Sequence, residues 1–254
     1  MPMLVDARAG GVTMEVSGRL TARLSAQMLE MVRTTLVEYP RSVLVDLSRV
    51  TGLTPAGVGA LFVLADLARD WPESPVVVVA AAPLATQLEE VRVAERLMVR
   101  PSTSAAYASL GHQAPVVVDR MRLPASDQAP RIARHFVLDR LPSDSSAHLL
   151  QAAALVVTEL ATNAVVHGGA RIEVRITRRA HQVRIAVLDS RPVETFTLPD
   201  QIAGEAEHGR GLVMVRALSL RFGALPTVTG GKMVWSLLDD EPPPITAGAD
   251  DVLM

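Results

Sequence analysis

The apolar and polar positions of this chain change period several times, and each change marks an element. Residues 11–17, Gly11-Val-Thr-Met-Glu-Val-Ser17, alternate strictly and predict a strand with one buried face. Residues 24–39 switch to helical spacing and stop before Pro40. Ser42-Val-Leu-Val-Asp-Leu47 and residues 76–81 are almost continuously apolar, as in strands covered on both faces. Between them Thr54 suits an N-cap and Pro55 a first helical position, so a helix is predicted to Ala68. Another helix is predicted over residues 84–97, followed by a less regular segment to Leu110. Strand and helix alternate throughout, which implies a small α/β domain over residues 3–110.

Gly111-His-Gln-Ala-Pro115 reads as a linker, and a second domain is predicted over residues 116–240. It begins with a strand over 116–123 and a helix over 128–141. Pro142-Ser-Asp-Ser-Ser146 then supplies N-cap candidates for a long apolar helix ending near Gly168. Residues 171–178 and 182–189 alternate and have hairpin spacing. Residues 190–208 carry no period and contain two prolines and one glycine; a loop of that length is a lid, a binding loop or disordered. A helix over 212–222 and a strand over 232–238 complete the domain, and residues 241–254 read as a mobile tail.

Composition narrows the classes. Hydrophobic residues make up 49% and charged residues 20%, enough apolar matter for sizeable cores. The net charge of −2 gives no reason to expect direct nucleic-acid binding. With no cysteine there is neither a disulfide framework nor thiolate chemistry. The N-terminus lacks the features of a signal peptide, and the longest apolar run, residues 76–82, is far short of the roughly 20 residues of a membrane helix. The expectation is a cytoplasmic protein with no membrane contact.

Three polar residues interrupt the long helix of the second half: Glu159, Asn163 and His167. Their spacing of four keeps a carboxylate, an amide and an imidazole on one face. Such a pair as Glu159 and Asn163 can set a metal-bound phosphate beside a proton acceptor, which is most of what phosphoryl transfer to a hydroxyl requires. An amphipathic helix with a wet face would give the same stripe. Asp189, at the end of an apolar strand, could accept from an exocyclic amino group, though such a residue also suits a turn. Gly209-Arg210-Gly211 opens directly into a helix, where glycines and free N–H groups favour an anion and Arg210 adds charge. Gly230-Gly-Lys-Met-Val-Trp235 is a glycine turn into an edge strand, another candidate for a nucleotide's vicinity.

These pieces together resemble the ATP-binding domain of the histidine-kinase, gyrase and Hsp90 (GHKL) group, within it the serine-kinase anti-sigma factors of bacteria. Thr158-Glu-Leu-Ala-Thr-Asn-Ala-Val-Val-His-Gly168 is similar to that family's N-box, and His208-Gly-Arg-Gly211 to the glycine motif that closes its lid. The resemblance, over residues 116–238, implies a Bergerat-type α/β sandwich binding ATP and Mg²⁺. It implies Glu159 as catalytic base, Asn163 as the Mg²⁺ ligand, His167 beside the nucleotide, and Asp189 as the adenine reader. Gly209, Arg210 and Gly211 would border the phosphates. Two departures stand out: Asp189-Ser-Arg-Pro192 lacks the family's following glycines, and Met233 replaces a threonine of the last glycine turn.

The first half resembles a STAS domain, the fold of anti-sigma factor antagonists. The resemblance rests on Val43-Leu-Val-Asp-Leu-Ser48 and Thr54-Pro-Ala-Gly57. Phosphorylatable antagonists carry the acceptor serine where this chain has Ala56, so the usual acceptor hydroxyl is absent. The whole implies two α/β domains and a partner-switching regulator: an ATP-dependent serine/threonine kinase acting on a separate STAS antagonist, with a sigma factor as a further partner. A homodimer is the expectation from related kinase domains. The alternative is a non-catalytic docking module whose ATP domain binds nucleotide only to set its shape. A sensory histidine kinase fits less well, because neither a phosphoacceptor-histidine helix nor a membrane segment is evident.

Overall fold

The computed structural model describes residues 3–8, 11–111, 117–167, 169–179, 181–192 and 210–240. The chain divides into two compact units, one of residues 1–117 with 225–228 and one of residues 118–224 with 229–254. Each is a five-stranded sheet with helices, so the expectation of two α/β units is met.

In the first unit the strands stand in sequence order: β1 (Met3–Arg8), β2 (Gly11–Leu20), β3 (Ser42–Leu53), β4 (Val76–Val79) and β5 (Met98–Arg100). β1 runs antiparallel to β2, and the other neighbours are parallel. Parallel neighbours need crossovers. These contain α1 (Ala22–Leu36), α2 (Pro55–Asp70) and α3 (Ala82–Glu90), while α4 (Thr103–Leu110) follows β5. Leu44, Val77 and Val79 pack with Ala106 of α4, and Leu110 lies against them. All four residues of β4 are buried, which explains the unbroken apolar run.

Two elements of this unit differ from the sequence expectation. The helix predicted over residues 84–97 ends at Glu90; Arg92 then takes a left-handed φ of 60°, and a single 3-10 turn, Val93–Glu95, leads to β5. A residue in that conformation stops an α-helix whatever its apolar spacing. The irregular segment to Leu110 proves to be β5 and α4, with Ser102 as α4's N-cap, accepting from the Ala105 N–H at 3.1 Å.

The second sheet has the order β6 (Val118–Pro124), β7 (Arg171–Arg179), β8 (Gln182–Asp189), β10 (Lys232–Asp239) and β9 (Arg221–Pro226). The pairs β6–β7, β7–β8 and β8–β10 are antiparallel. Ile172, Val174 and Ile176 of β7, Val183, Ile185 and Val187 of β8, and Val234 and Leu238 of β10 share one core cluster. That cluster takes in α5 (Ala129–Leu138), α6 (Ala147–His167) and α7 (Arg210–Leu218). The predicted helix over 212–222 thus starts and ends earlier, and β9 occupies the residues after it. Among the described residues α6 is the one helix long and apolar enough, by length and composition, to cross a membrane. Here it is the central core helix, with nine buried residues from Leu149 to Ala164. Residues 112–115 of the predicted linker, 193–208 of the predicted loop and the predicted tail over 241–254 lie outside the described residues.

Candidate functional site

The long helix α6 begins at Ser146, whose hydroxyl accepts from the Leu149 N–H at 3.1 Å. Ser146 is itself held by Asp240, whose carboxylate accepts the Ser146 N–H at 3.0 Å and whose carbonyl accepts the hydroxyl at 3.3 Å. The Ser146 hydroxyl and N–H beside it hold the Asp240 carboxyl below its ordinary range. Downstream, Val156, Val157, Leu160, Ala161 and Ala164 face the core, which fixes the helix's rotation. Glu159 and Asn163 are consequently left half-buried at its margin, and His167, the last helical residue, is exposed. The polar stripe is real, and it runs from the packed edge of the helix out to solvent.

Glu159 faces the first turn of α7. A Cβ added to Gly211 would overlap the Glu159 carboxylate, so only a glycine permits this approach. The structure thus joins two predicted site residues 52 positions apart in sequence. The N-terminal turn of α7 presents N–H groups without helical partners beside the carboxylate. Gly209 lies outside the described residues, as does the side chain of Arg210, whose backbone begins α7.

The far end of α6 meets the end of β8. Gly169 has a φ of 101°, and a Cβ on it would come within 2.5 Å of the Ser190 hydroxyl oxygen. Asp189, the neighbour of Ser190, follows Val187 and Ile185 on the side of β8 that faces the helices. Its carboxylate is nearly enclosed, with 2% of the side chain exposed. One oxygen accepts from the Arg191 N–H at 2.8 Å, forming a turn after the strand.

Asp189 also meets a residue that the sequence pattern does not single out. The Lys232 ammonium lies 2.8 Å from both carboxylate oxygens, with 8% of its side chain exposed. The β8–β10 register pairs these two residues directly, and Gly231 secures it: a Cβ there would overlap the Asp189 carbonyl. Met233 pairs with Leu188 and is fully buried on the other face of the sheet. The residue that matters opposite Asp189 is therefore Lys232, and the threonine-to-methionine departure at 233 does not bear on the carboxylate. The alternation of β10 contained this signal, since a strand puts 232 and 233 on opposite faces.

Among the described residues no group of three or more His, Cys, Asp or Glu could hold a metal ion. A magnesium ion bound through one or two protein oxygens and nucleotide phosphates needs no such cage. Asn163, half-buried one turn from Glu159, supplies an amide oxygen suited to that arrangement.

In the first unit Thr54 caps α2 as expected. Its hydroxyl accepts from the Gly57 N–H at 3.1 Å and donates to the Leu20 carbonyl at 2.7 Å. Ala56, in the first turn, is exposed and carries no hydroxyl. Beside it Gly57 is constrained, because a Cβ would lie 2.6 Å from the Leu20 carbonyl oxygen.

Residues 123–235 match the family model of the histidine kinase-like ATPase domain, a span that includes α6, Asp189, Gly211 and Lys232. No curated protein matches the chain. Among solved structures it is similar to an anti-sigma factor antagonist from Mycobacterium paratuberculosis, at 22% identity and a TM-score of 0.37 over 42% of this chain and 92% of that one. It is also similar to a variant of RsbS from Moorella thermoacetica, at 13% identity and a TM-score of 0.38 over 43% and 95%. A third is the anti-sigma factor antagonist SpoIIAA in its unphosphorylated form, at 13% identity and a TM-score of 0.33 over 42% and 94%. The family match thus falls within the half of the chain whose residues resemble an ATP-binding domain.

Proposed function

We propose that the protein is an ATP-dependent serine/threonine kinase of a partner-switching system, acting on a separate STAS-type antagonist. The observation that carries this reading is the apposition of Glu159 and the Gly211 turn. It supports a general base at Glu159 beside a helix N-terminus suited to phosphate, two of the parts that transfer to a hydroxyl uses. Glu159 takes the proton of the acceptor hydroxyl as the hydroxyl oxygen attacks the γ-phosphorus, and the bond from that phosphorus to the bridging oxygen breaks to release ADP. Asn163 holds the magnesium ion, which when bound offsets the phosphates' charge. Gly209, Arg210 and Gly211 border the phosphates, His167 lies beside the nucleotide, and Asp189 reads the base. A sigma factor as second partner, a homodimer and a cytoplasmic setting complete the proposal.

Exposed Ala56 favours a second role for the first unit. With no hydroxyl at the turn, it serves as a docking partner that the kinase cannot switch off there. The test is transfer of labelled phosphate from ATP to serine-bearing STAS proteins, with Glu159→Ala and Asn163→Ala alongside. The parent labels a partner and leaves its own residue 56 unlabelled. ATP binding without transfer to any partner would leave the non-catalytic reading, and no ATP binding would remove both.

A further inference from the structure

Resting on the nucleotide-site reading, we propose that Lys232 is a specificity-determining residue that lets this site accept a 6-oxopurine as well as adenine. A lone ionised carboxylate presents only acceptors. It suits the amino group of adenine and repels the carbonyl oxygen that hypoxanthine or guanine carries at the same position. In this structure the carboxylate is not alone. Lys232 approaches both oxygens of Asp189 at 2.8 Å from the directly paired position on β10.

The hydrogen-bond capacity of the pair decides what it can read. A carboxylate has about four lone-pair sites and an ammonium three N–H groups. Among the described residues, the Oδ1 atom of Asp189 receives Lys232 and the Arg191 N–H, and Oδ2 receives Lys232. Counted over the described residues, one acceptor site remains on Oδ2 and one N–H on the ammonium that bridges the two oxygens. An adjacent acceptor and donor complement the 6-amino and N1 of adenine. With the two roles exchanged, they equally complement the N1–H and 6-oxo of hypoxanthine. The pair is degenerate where the carboxylate alone is selective.

The arrangement is also built to persist. Gly231 allows the chain to approach the Asp189 carbonyl closely, and the β8–β10 register holds Lys232 opposite Asp189. The enclosure of both side chains removes the solvent that would otherwise loosen the pair.

The experiment is calorimetric titration of the full chain with ATP and with inosine triphosphate, each with magnesium, for the parent, Lys232→Thr and Lys232→Met. Inosine triphosphate is the cleaner 6-oxopurine because it lacks the 2-amino group of guanine. The parent is expected to bind it within about thirtyfold of ATP, and both variants should shift the ratio toward ATP by about tenfold or more, the worth of one good base-edge pairing. A parent preference for ATP beyond thirtyfold overturns the proposal. So does a smaller shift, or none, in the variants. Should the variants fail to fold, the parent's ratio still decides. A parent that binds ATP while refusing inosine triphosphate refutes this inference alone, whereas binding of neither refutes the nucleotide site as well.

Discussion

Gly211 lies so close to the Glu159 carboxylate that no side chain fits between them. Gly211→Ala should therefore displace either the acid or the first turn of α7 by a fraction of an ångström or more. Misplacement on the order of 1 Å costs about a hundredfold in rate. Phosphate transfer to a STAS partner should fall by about that factor, while circular dichroism shows the fold retained. Unchanged transfer would mean that the apposition has no catalytic weight.

Removing the charge without the bulk separates chemistry from binding. Glu159→Gln should leave nucleotide affinity nearly unchanged and lower single-turnover transfer about 10²- to 10⁴-fold, the usual range for a general base. Asn163→Ala should instead weaken magnesium-dependent binding, read as a loss of the difference between ATP titrations with and without the metal.

The enclosed Asp189–Lys232 pair makes an asymmetric prediction for stability. Asp189→Asn leaves the ammonium without its counter-ion and should cost about 3–5 kcal/mol in urea unfolding. Adding Lys232→Met to it should recover much of that loss, since a neutral pair leaves no buried charge. Losses that simply add would show that the two residues do not act on each other.

Glu173 predicts a dependence on pH. Burial pushes its carboxyl up, but hydrogen bonds from Arg122 and Arg175 and their charges outweigh that and hold it below the ordinary value of 4.5. A carboxylate lowered in the folded state contributes stability above its unfolded value and loses it as pH falls through the folded one. The stability gap between the parent and Glu173→Gln should thus be constant near neutrality and close on acidification below about 4.5. A gap that widens in acid would contradict the pairing.

The turn at Ala56 offers a paired test. Ala56→Ser adds a hydroxyl at an exposed position and should be neutral in stability to within about 0.5 kcal/mol. Gly57→Ala, whose Cβ would lie 2.6 Å from the Leu20 carbonyl oxygen, should destabilise the first unit by about 1–3 kcal/mol. Mass spectrometry of Ala56→Ser after incubation with ATP then reads whether the added hydroxyl becomes a phosphoacceptor, as the proposed kinase activity would allow.

Long periodic segments were legible from sequence because one physical cause, burial of a face, dominated them. α2 with its Thr54 cap and β8 ending at Asp189 are of this kind. What escaped depended on events that periodicity does not encode. The left-handed turn at Arg92 cut an apolar run that would otherwise continue as helix. β1 and β9 were missed at the edges of their sheets, where one neighbour is lacking and the pattern is weaker. For the site, the helical stripe of Glu159, Asn163 and His167 could be read directly, whereas Lys232 became significant only once strand register placed it against Asp189.

The cap on α6 ties two distant stretches of chain. Asp240, the first residue after β10, clasps Ser146 at the start of the helix that carries Glu159. The last residue described in this unit therefore sits where its central helix begins. Trimming the chain after residue 240 leaves that clasp whole; trimming it one residue earlier opens the helix end.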